Sequence, residues 1–208
     1  MTDLPDIQLT IPEVAEAAGT SAPKIRRWIA MRNKRVHASE SFVVLGREGD
    51  KLSVGRGDDA LLSPLTVLQV AIAARLADRG VSVFGALKAG MEFAHVGETT
   101  GGFVGEPQKE GRAPGQTFAA GETWLLVADD DCAVANVGGV EGDHNFKSLS
   151  DAIMSFQNRL PSEWCPLGYQ NEAVVTMLMD GLPELICQRI DKVMRDIRPK
   201  NTRLSAAE

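Results

Sequence analysis

Near its start the chain reads LTIPEVAEAAGTSAPKIRRW over residues 9–28, a pattern that predicts two short helices joined by a tight turn. Thr10 is a good N-cap for the first helix, and Glu13 stands three residues later, as a capping box requires. Gly19 ends this helix, because a residue without Cβ adopts the left-handed conformation at little cost. A three-residue turn containing glycine between two short helices predicts a helix-turn-helix.

The second helix of this motif is predicted over residues 22–31, with Thr20 or Ser21 as its cap. Helical periodicity predicts a buried stripe formed by Ile25, Trp28 and Ile29. Lys24 and Arg27 face the opposite way. Basic side chains on this face lie where a helix-turn-helix protein needs them to reach DNA.

The charge of the chain is unevenly distributed. Taken alone, the formal net charge of −6 disfavours nucleic acid as a partner. Residues 1–92 hold 12 basic and 11 acidic residues, a balance of +1, whereas residues 93–208 hold 10 and 17, a balance of −7. The first part includes a run of bases without any acid: Lys24, Arg26, Arg27, Arg32, Lys34 and Arg35. Screening limits charge interactions to about 8–10 Å, so this local run matters more for DNA binding than the total, although such runs are also typical of a solvated helix face.

A hairpin is predicted directly after the helix-turn-helix. Residues 42–45 and 51–54 are β-type runs separated by a turn-rich stretch. Arg47 and Lys51 lie at or beside its tip, and Arg56 follows. A hairpin in this place is interpreted as a wing that reaches phosphates or the minor groove, the alternative being an ordinary surface hairpin.

Two more helices and a glycine-rich stretch complete the first half. Ser63 and Pro64 open a third helix, and Ser82 caps a fourth helix predicted over residues 83–91. Residues 97–121 contain seven glycines and two prolines and show no apolar periodicity. This composition predicts a linker or a long loop.

The C-terminal part is predicted to combine strands and helices. Two strands, residues 123–128 and 132–137, precede a helix that Ser148 or Ser150 caps. A final helical region is predicted over residues 171–197, with a break near its middle. After this break an apolar stripe recurs at helical spacing: Leu185, Ile186, Ile190, Val193, Met194 and Ile197. The stripe predicts either a dimer helix or a helix packed within its own domain.

These elements predict a fold that is mainly α with small β elements. Its N-terminal part, residues 1–95, is predicted to be a winged helix-turn-helix, followed by a glycine-rich linker or loop over residues 96–122. Residues 123–200 are predicted to form an α+β domain for dimerisation or sensing, and residues 201–208 a polar tail.

The quoted stretch resembles the winged helix-turn-helix of the MerR-like superfamily of transcription regulators. In that family an apolar-x-Glu-Val/Leu-Ala helix and a Gly-x-Ser turn precede an Ile-Arg-x-Tyr/Trp recognition helix. The segments LLSPLTVL (residues 61–68) and RLADRGVS (residues 75–82) are similar to the family's third helix and the start of its fourth. The resemblance covers about residues 9–92.

The resemblance implies that Arg26 contacts a phosphate and that Arg27 faces the groove. It implies wing contacts to the flanking backbone from Arg47, Lys51 and Arg56. The chain also departs from the family. The segment before Leu62 is longer than usual, Ala-Leu-Leu at residues 60–62 replaces the wing's Arg-x-Tyr, and the predicted linker stands where the family's long dimerisation helix follows.

Other chemistries find little support in the residues. No GxSxG, P-loop or GxGxxG motif is present, and the three histidines are not clustered, so we expect no catalytic site, no cofactor and no metal site. Acids at residues 129–131 are interpreted as a solvated turn rather than a cation site. Three distant cysteines without a CxxC pair, no secretory signal and no apolar run of membrane-spanning length lead us to expect reduced thiols in a cytoplasmic chain.

We therefore expect a sequence-specific transcription regulator that binds double-stranded DNA, with the helix around residues 22–31 in the major groove. We expect it to form a homodimer through its C-terminal region. The sequence does not identify a small-molecule effector. The predicted DNA-binding residues are Ser21, Lys24, Arg26, Arg27, Arg32, Lys34, Arg35, Arg47, Lys51 and Arg56. Two alternatives are a phage-type DNA-packaging protein similar to a terminase small subunit, and an adaptor whose helix-turn-helix binds another protein.

Overall fold

The protein is a mixed α and β structure in which helix predominates. The computed structural model describes residues 7–31, 50–51, 60–100, 109–128, 131–139, 145–159 and 174–197. The helices of these segments are α1 (Ile11–Ala18), α2 (Ala22–Met31), α3 (Pro64–Ala77), α4 (Val83–His95), α5 (Leu149–Gln157) and α6 (Leu182–Lys192), which continues as a π-helical turn, Val193–Ile197. The strands are β1 (Leu9–Thr10), β2 (Leu61–Leu62), β3 (Glu98–Thr100), β4 (Lys109–Arg112), β5 (Glu122–Ala128), β6 (Asp131–Val137), β7 (Asn145–Phe146) and β8 (Val175–Leu178).

Local caps define where the predicted helices begin and end. The Glu13 carboxylate accepts hydrogen bonds from the backbone N–H and the hydroxyl of Thr10, at 2.8 and 3.0 Å. Gly19 ends α1 in the left-handed conformation, with φ of 70°. At α3 the Ser63 hydroxyl accepts from the backbone N–H of Thr66 at 3.3 Å, and Pro64 occupies the first turn. These three predictions are confirmed.

Helices α3 and α4 form the centre of the core and pack closely. Most of α3 is buried, in agreement with its nearly continuous apolar surface. Gly90 of α4 permits the close approach, since a Cβ at this position would lie 2.6 Å from the carbonyl oxygen of Gln69. The Gln69 side chain also donates to the Leu87 carbonyl at 3.2 Å, which links the two helices by a buried hydrogen bond.

A four-stranded sheet has the order β7-β6-β5-β8. The predicted strands β5 and β6 pair in antiparallel fashion, β8 pairs antiparallel with β5, and β7 runs parallel to β6. Alternate residues of β5 face opposite sides. Leu125 and Val127 join the core that contains α3 and α4, whereas Leu126 packs on the other side against Phe156 of α5. The Ser148 hydroxyl caps α5 by accepting from the backbone N–H of Asp151 at 3.2 Å.

The prediction of a helix in the first half of the final region, residues 171–197, is wrong. Residues 175–178 form strand β8, and helix α6 starts only at Leu182, after Gly181 in the left-handed conformation. The run from Val174 to Thr176 is β-branched, which favours a strand beside the otherwise open edge of β5.

Part of the predicted linker is ordered structure that packs on α4. Strands β3 and β4 pair in antiparallel fashion, so residues 98–100 and 109–112 do not form an irregular connection. Arg112 of β4 is only 5% exposed and donates to the carbonyls of Phe93 and Val96 at 2.8 and 2.7 Å. These bonds satisfy carbonyls at the C-terminal end of α4, which extends to His95 rather than ending at residue 91.

One hydrophobic cluster extends across the predicted domain boundary. Trp28 of α2 and Leu68 of α3 belong to the same buried cluster as Leu125 of β5 and Ile190 of α6. The residue boundaries of the two domains stay predictions, but the parts assigned to them share a core. Within the described part of the chain, no helix combines the length and the apolar character needed to cross a membrane.

Candidate nucleic-acid interface

Helices α1 and α2 form the predicted pair joined by a three-residue turn. The backbone N–H of Gly19 donates to the carbonyls of Ala15 and Glu16, and that of Thr20 donates to Ala15 at 2.9 Å. Ser21 then caps α2, since its backbone carbonyl accepts from Ile25 at 3.1 Å and its exposed hydroxyl lies 3.4 Å from the backbone nitrogen of Lys24. The turn therefore has a defined backbone geometry that follows from Gly19 and a hydroxyl residue.

The two faces of α2 differ as helical periodicity predicts. Ile25 is 0% and Trp28 is 4% exposed, and Ile29 is partly buried against the same core. Arg26 and Arg27 are both exposed. Helix α2 is thus anchored by its apolar stripe and presents two guanidinium groups to solvent.

Lys24 does not extend into solvent as the sequence suggested. Its Nζ lies 3.2 Å from Oδ1 of Asp78, at the end of α3, and 5.3 Å from the centre of the Trp28 ring. Its side chain is 32% exposed. Asp78 lies 54 residues further along the chain, so the helical pattern of α2 could not reveal this pair. Lys24 would have to leave Asp78 to contact a base.

The predicted wing is described only at its base. Lys51 is exposed and forms an antiparallel bridge with Leu61 of β2, which in turn pairs with β1. The neighbouring Asp50 accepts from the Ser63 backbone N–H at 2.6 Å and from the Thr66 hydroxyl at 2.8 Å. This carboxylate anchors the segment to the N-terminal end of α3, where a negative charge is favourable. Five further predicted DNA-binding residues lie outside the described residues: Arg32, Lys34, Arg35, Arg47 and Arg56.

Three basic residues close to this motif were missed. Arg75 lies in the last turn of α3, Arg79 follows four residues later, and Arg189 comes from α6. Arg189 Nη1 lies 3.5 Å from the carbonyl oxygen of Ala17, at the end of α1. Arg75 and Arg79 are close in sequence, but nothing in the sequence relates Arg189 to residue 17.

The apolar stripe of α6 packs within the chain. Ile186, Ile190 and Val193 are fully buried in the main cluster, and Leu185 and Met194 pack against it. Of the two alternatives that the sequence allowed, the structure shows internal packing for this stripe. A homodimer stays a prediction and would need another surface.

Two titratable residues of β6, Cys132 and Asp131, take part in packing and in an ion pair. Burial, with smaller effects of Glu92 and Asp131, raises the pKa of the Cys132 thiol to about 12. Asp131 pairs with Lys88 of α4 at 3.7 Å. Among the described residues no group of three or more histidine, cysteine or acidic side chains could hold a metal ion.

Comparison with known proteins identifies no relative of this chain. No family model, curated protein or solved structure matches the chain. The resemblance to MerR-like regulators therefore rests on the residues of the first half of the chain.

Proposed function

We propose that the protein is a sequence-specific transcription regulator that binds double-stranded DNA through helix α2. The observation that carries the proposal is the two-sided character of α2. Ile25 and Trp28 anchor the helix in the core, and Arg26 and Arg27 project to solvent. A helix held in this way after a tight turn has the geometry that suits entry into the major groove.

The chemistry of the exposed side chains fits this role. A guanidinium forms paired hydrogen bonds with phosphate or with O6 and N7 of guanine. We assign the phosphate contact to Arg26 and the groove contact to Arg27, as the resemblance implies. One such helix reads only a short half-site, so a homodimer on two half-sites is part of the proposal.

The first experiment selects bound genomic fragments and then compares arginine variants on the selected site and on a scrambled duplex. Arg27→Ala should weaken binding to the selected site by about 1–3 kcal/mol, or roughly 5- to 150-fold, and affect the scrambled duplex less. Arg26→Ala should weaken both alike, because phosphates carry no sequence information. Fluorescence anisotropy at fixed salt measures both effects.

Arg159→Ala is the matched control, since Arg159 is exposed and lies just beyond α5 on the opposite side of the sheet. The affinity of this variant for both duplexes should equal that of the parent protein. If the parent protein binds no genomic fragment above background at low salt, the proposed function is wrong.

Light scattering on the same material separates the alternatives. A dimer that protects a short pseudopalindrome supports a regulator, whereas a ring of eight or more subunits indicates the packaging function. An adaptor would keep its activity after charge reversal at Arg26 and Arg27, and its duplex binding would lack a steep dependence on salt.

A further inference from the structure

One arginine of α6 lies beside the turn between α1 and α2, and two more stand at the end of α3. Arg189 of α6 places Nη1 3.5 Å from the carbonyl oxygen of Ala17. A Cβ built on Gly19 would lie 2.8 Å from the same nitrogen, so this guanidinium lies directly against the turn. Arg75 and Arg79 stand at the end of α3, which also packs against α6.

Arg79 and Arg189 both lie close enough to Arg75 to affect its pKa. Burial is the main cause that lowers the pKa of Arg75, and the positive charges of Arg189 and Arg79 lower it further. The ion pairs found in the described residues join Lys24 to Asp78 and Lys88 to Asp131, and neither involves these arginines. The group is therefore a concentration of positive charge that an anion would stabilise.

The arginine group is continuous with the proposed DNA site. The ion pair between Lys24 and Asp78 holds the first turn of α2 against the end of α3. Arg79 follows Asp78 directly, and Arg189 borders the turn that precedes α2. Arg79 and Arg189 therefore lie next to residues that contact or precede the first turn of α2.

We propose that Arg75, Arg79 and Arg189 form a second contact surface for the phosphodiester backbone of the duplex bound by α2. The inference rests on the proposed function and extends it, because Arg189 makes the C-terminal helix a part of the DNA-binding surface. Arginine suits this role, since its planar group binds phosphate through two parallel hydrogen bonds. Charges that come from two separate parts of the fold, the end of α3 and helix α6, match a row of phosphates better than a single small anion.

The test compares salt dependence in Arg79→Gln and in the double variant Arg79→Gln/Arg189→Gln. Each lost phosphate contact should reduce the slope of log K against log salt by about 0.9, so the double variant should lose roughly 1.8. Affinity for the selected and the scrambled duplex should fall by the same factor. Arg159→Gln, which removes one exposed charge on the far side of the sheet, should keep the parent slope.

Thermal unfolding of each variant checks that the fold is retained. Should Arg189→Gln impair folding, the exposed Arg79 carries the test through Arg79→Gln and Arg79→Glu, the latter with the larger loss of affinity. A parent-like salt slope in folded variants overturns the inference and leaves the proposed function intact. A loss confined to the selected duplex also overturns it, because phosphate contacts weaken all sequences alike. If the parent protein binds neither duplex, both proposals are wrong.

Discussion

Arg112 is a buried charge that holds two parts of the chain together. Its guanidinium donates to the carbonyls of Phe93, Val96 and Gln116 and lies 4.5 Å from the centre of the Phe93 ring. The last carbonyls of an α-helix have no partner within the helix, and a cation there also interacts favourably with the helix dipole. Arg112 thus couples β4 to the end of α4.

Replacement of Arg112 should destabilise the fold strongly. Arg112→Ala removes the guanidinium donor of the Val96 and Gln116 carbonyls, whereas the Phe93 carbonyl keeps the backbone N–H of Gly115 at 3.1 Å. We expect the free energy of unfolding in urea to fall by about 3 kcal/mol. Arg112→Lys should restore only part of this loss, because an ammonium group lacks the planar set of donors. Arg159→Ala, at an exposed site, should change stability by less than about 0.5 kcal/mol. Equal stabilities of Arg112→Ala and the parent protein would contradict this role.

At the scale of elements, local signals predicted helix ends better than they predicted strands. The caps of α1, α3 and α5 depend on side chains within three residues of the backbone groups they bind. Strand β8 depends on the open edge of β5, about 50 residues earlier in the chain. An apolar run such as residues 174–179 fits a helix or a strand until its neighbours are known.

The contact between α3 and α4 should be sensitive to a single methyl group. Gly90→Ala would bring Cβ to 2.6 Å from the Gln69 carbonyl oxygen, so the helices must separate. We expect a loss of about 1–3 kcal/mol, larger than the gain of up to about 1 kcal/mol that alanine offers in a helix. Thermal unfolding measures the net effect. Glu92→Ala on the same helix serves as a control without this clash, and a raised melting temperature for Gly90→Ala would refute the argument.

At the scale of the whole molecule, α6 completes the core that carries α1 and α2. Ile190 is fully buried in the cluster that also contains Trp28 and Leu125. The sequence predicted two separate domains, because the glycine-rich stretch interrupts the apolar periodicity between them. Periodicity cannot show that α6 returns to pack against α1 and α3.

A shared core should unfold in one cooperative transition. Trp28 and Trp124 report on α2 and on the sheet, and each can be isolated by replacing the other two tryptophans with phenylalanine. Their fluorescence transitions in urea should coincide. Ile190→Ala should destabilise the protein by about 2–5 kcal/mol and shift both transitions equally. Leu178→Ala, at a position that is 44% exposed, is the control and should lower the free energy of unfolding by less. Separate transitions for the two tryptophans would contradict a single core.

The sequence by itself determined the helix pair, its turn and the buried and exposed faces of α2. These features depend on neighbours within about one helical turn, where backbone geometry is set by residue type. Only the tertiary structure decided that Lys24 pairs with Asp78 and that Arg189 lies against Gly19. Such contacts join residues 54 and 170 positions apart, and they exist because packing of the shared core brings α2, α3 and α6 together.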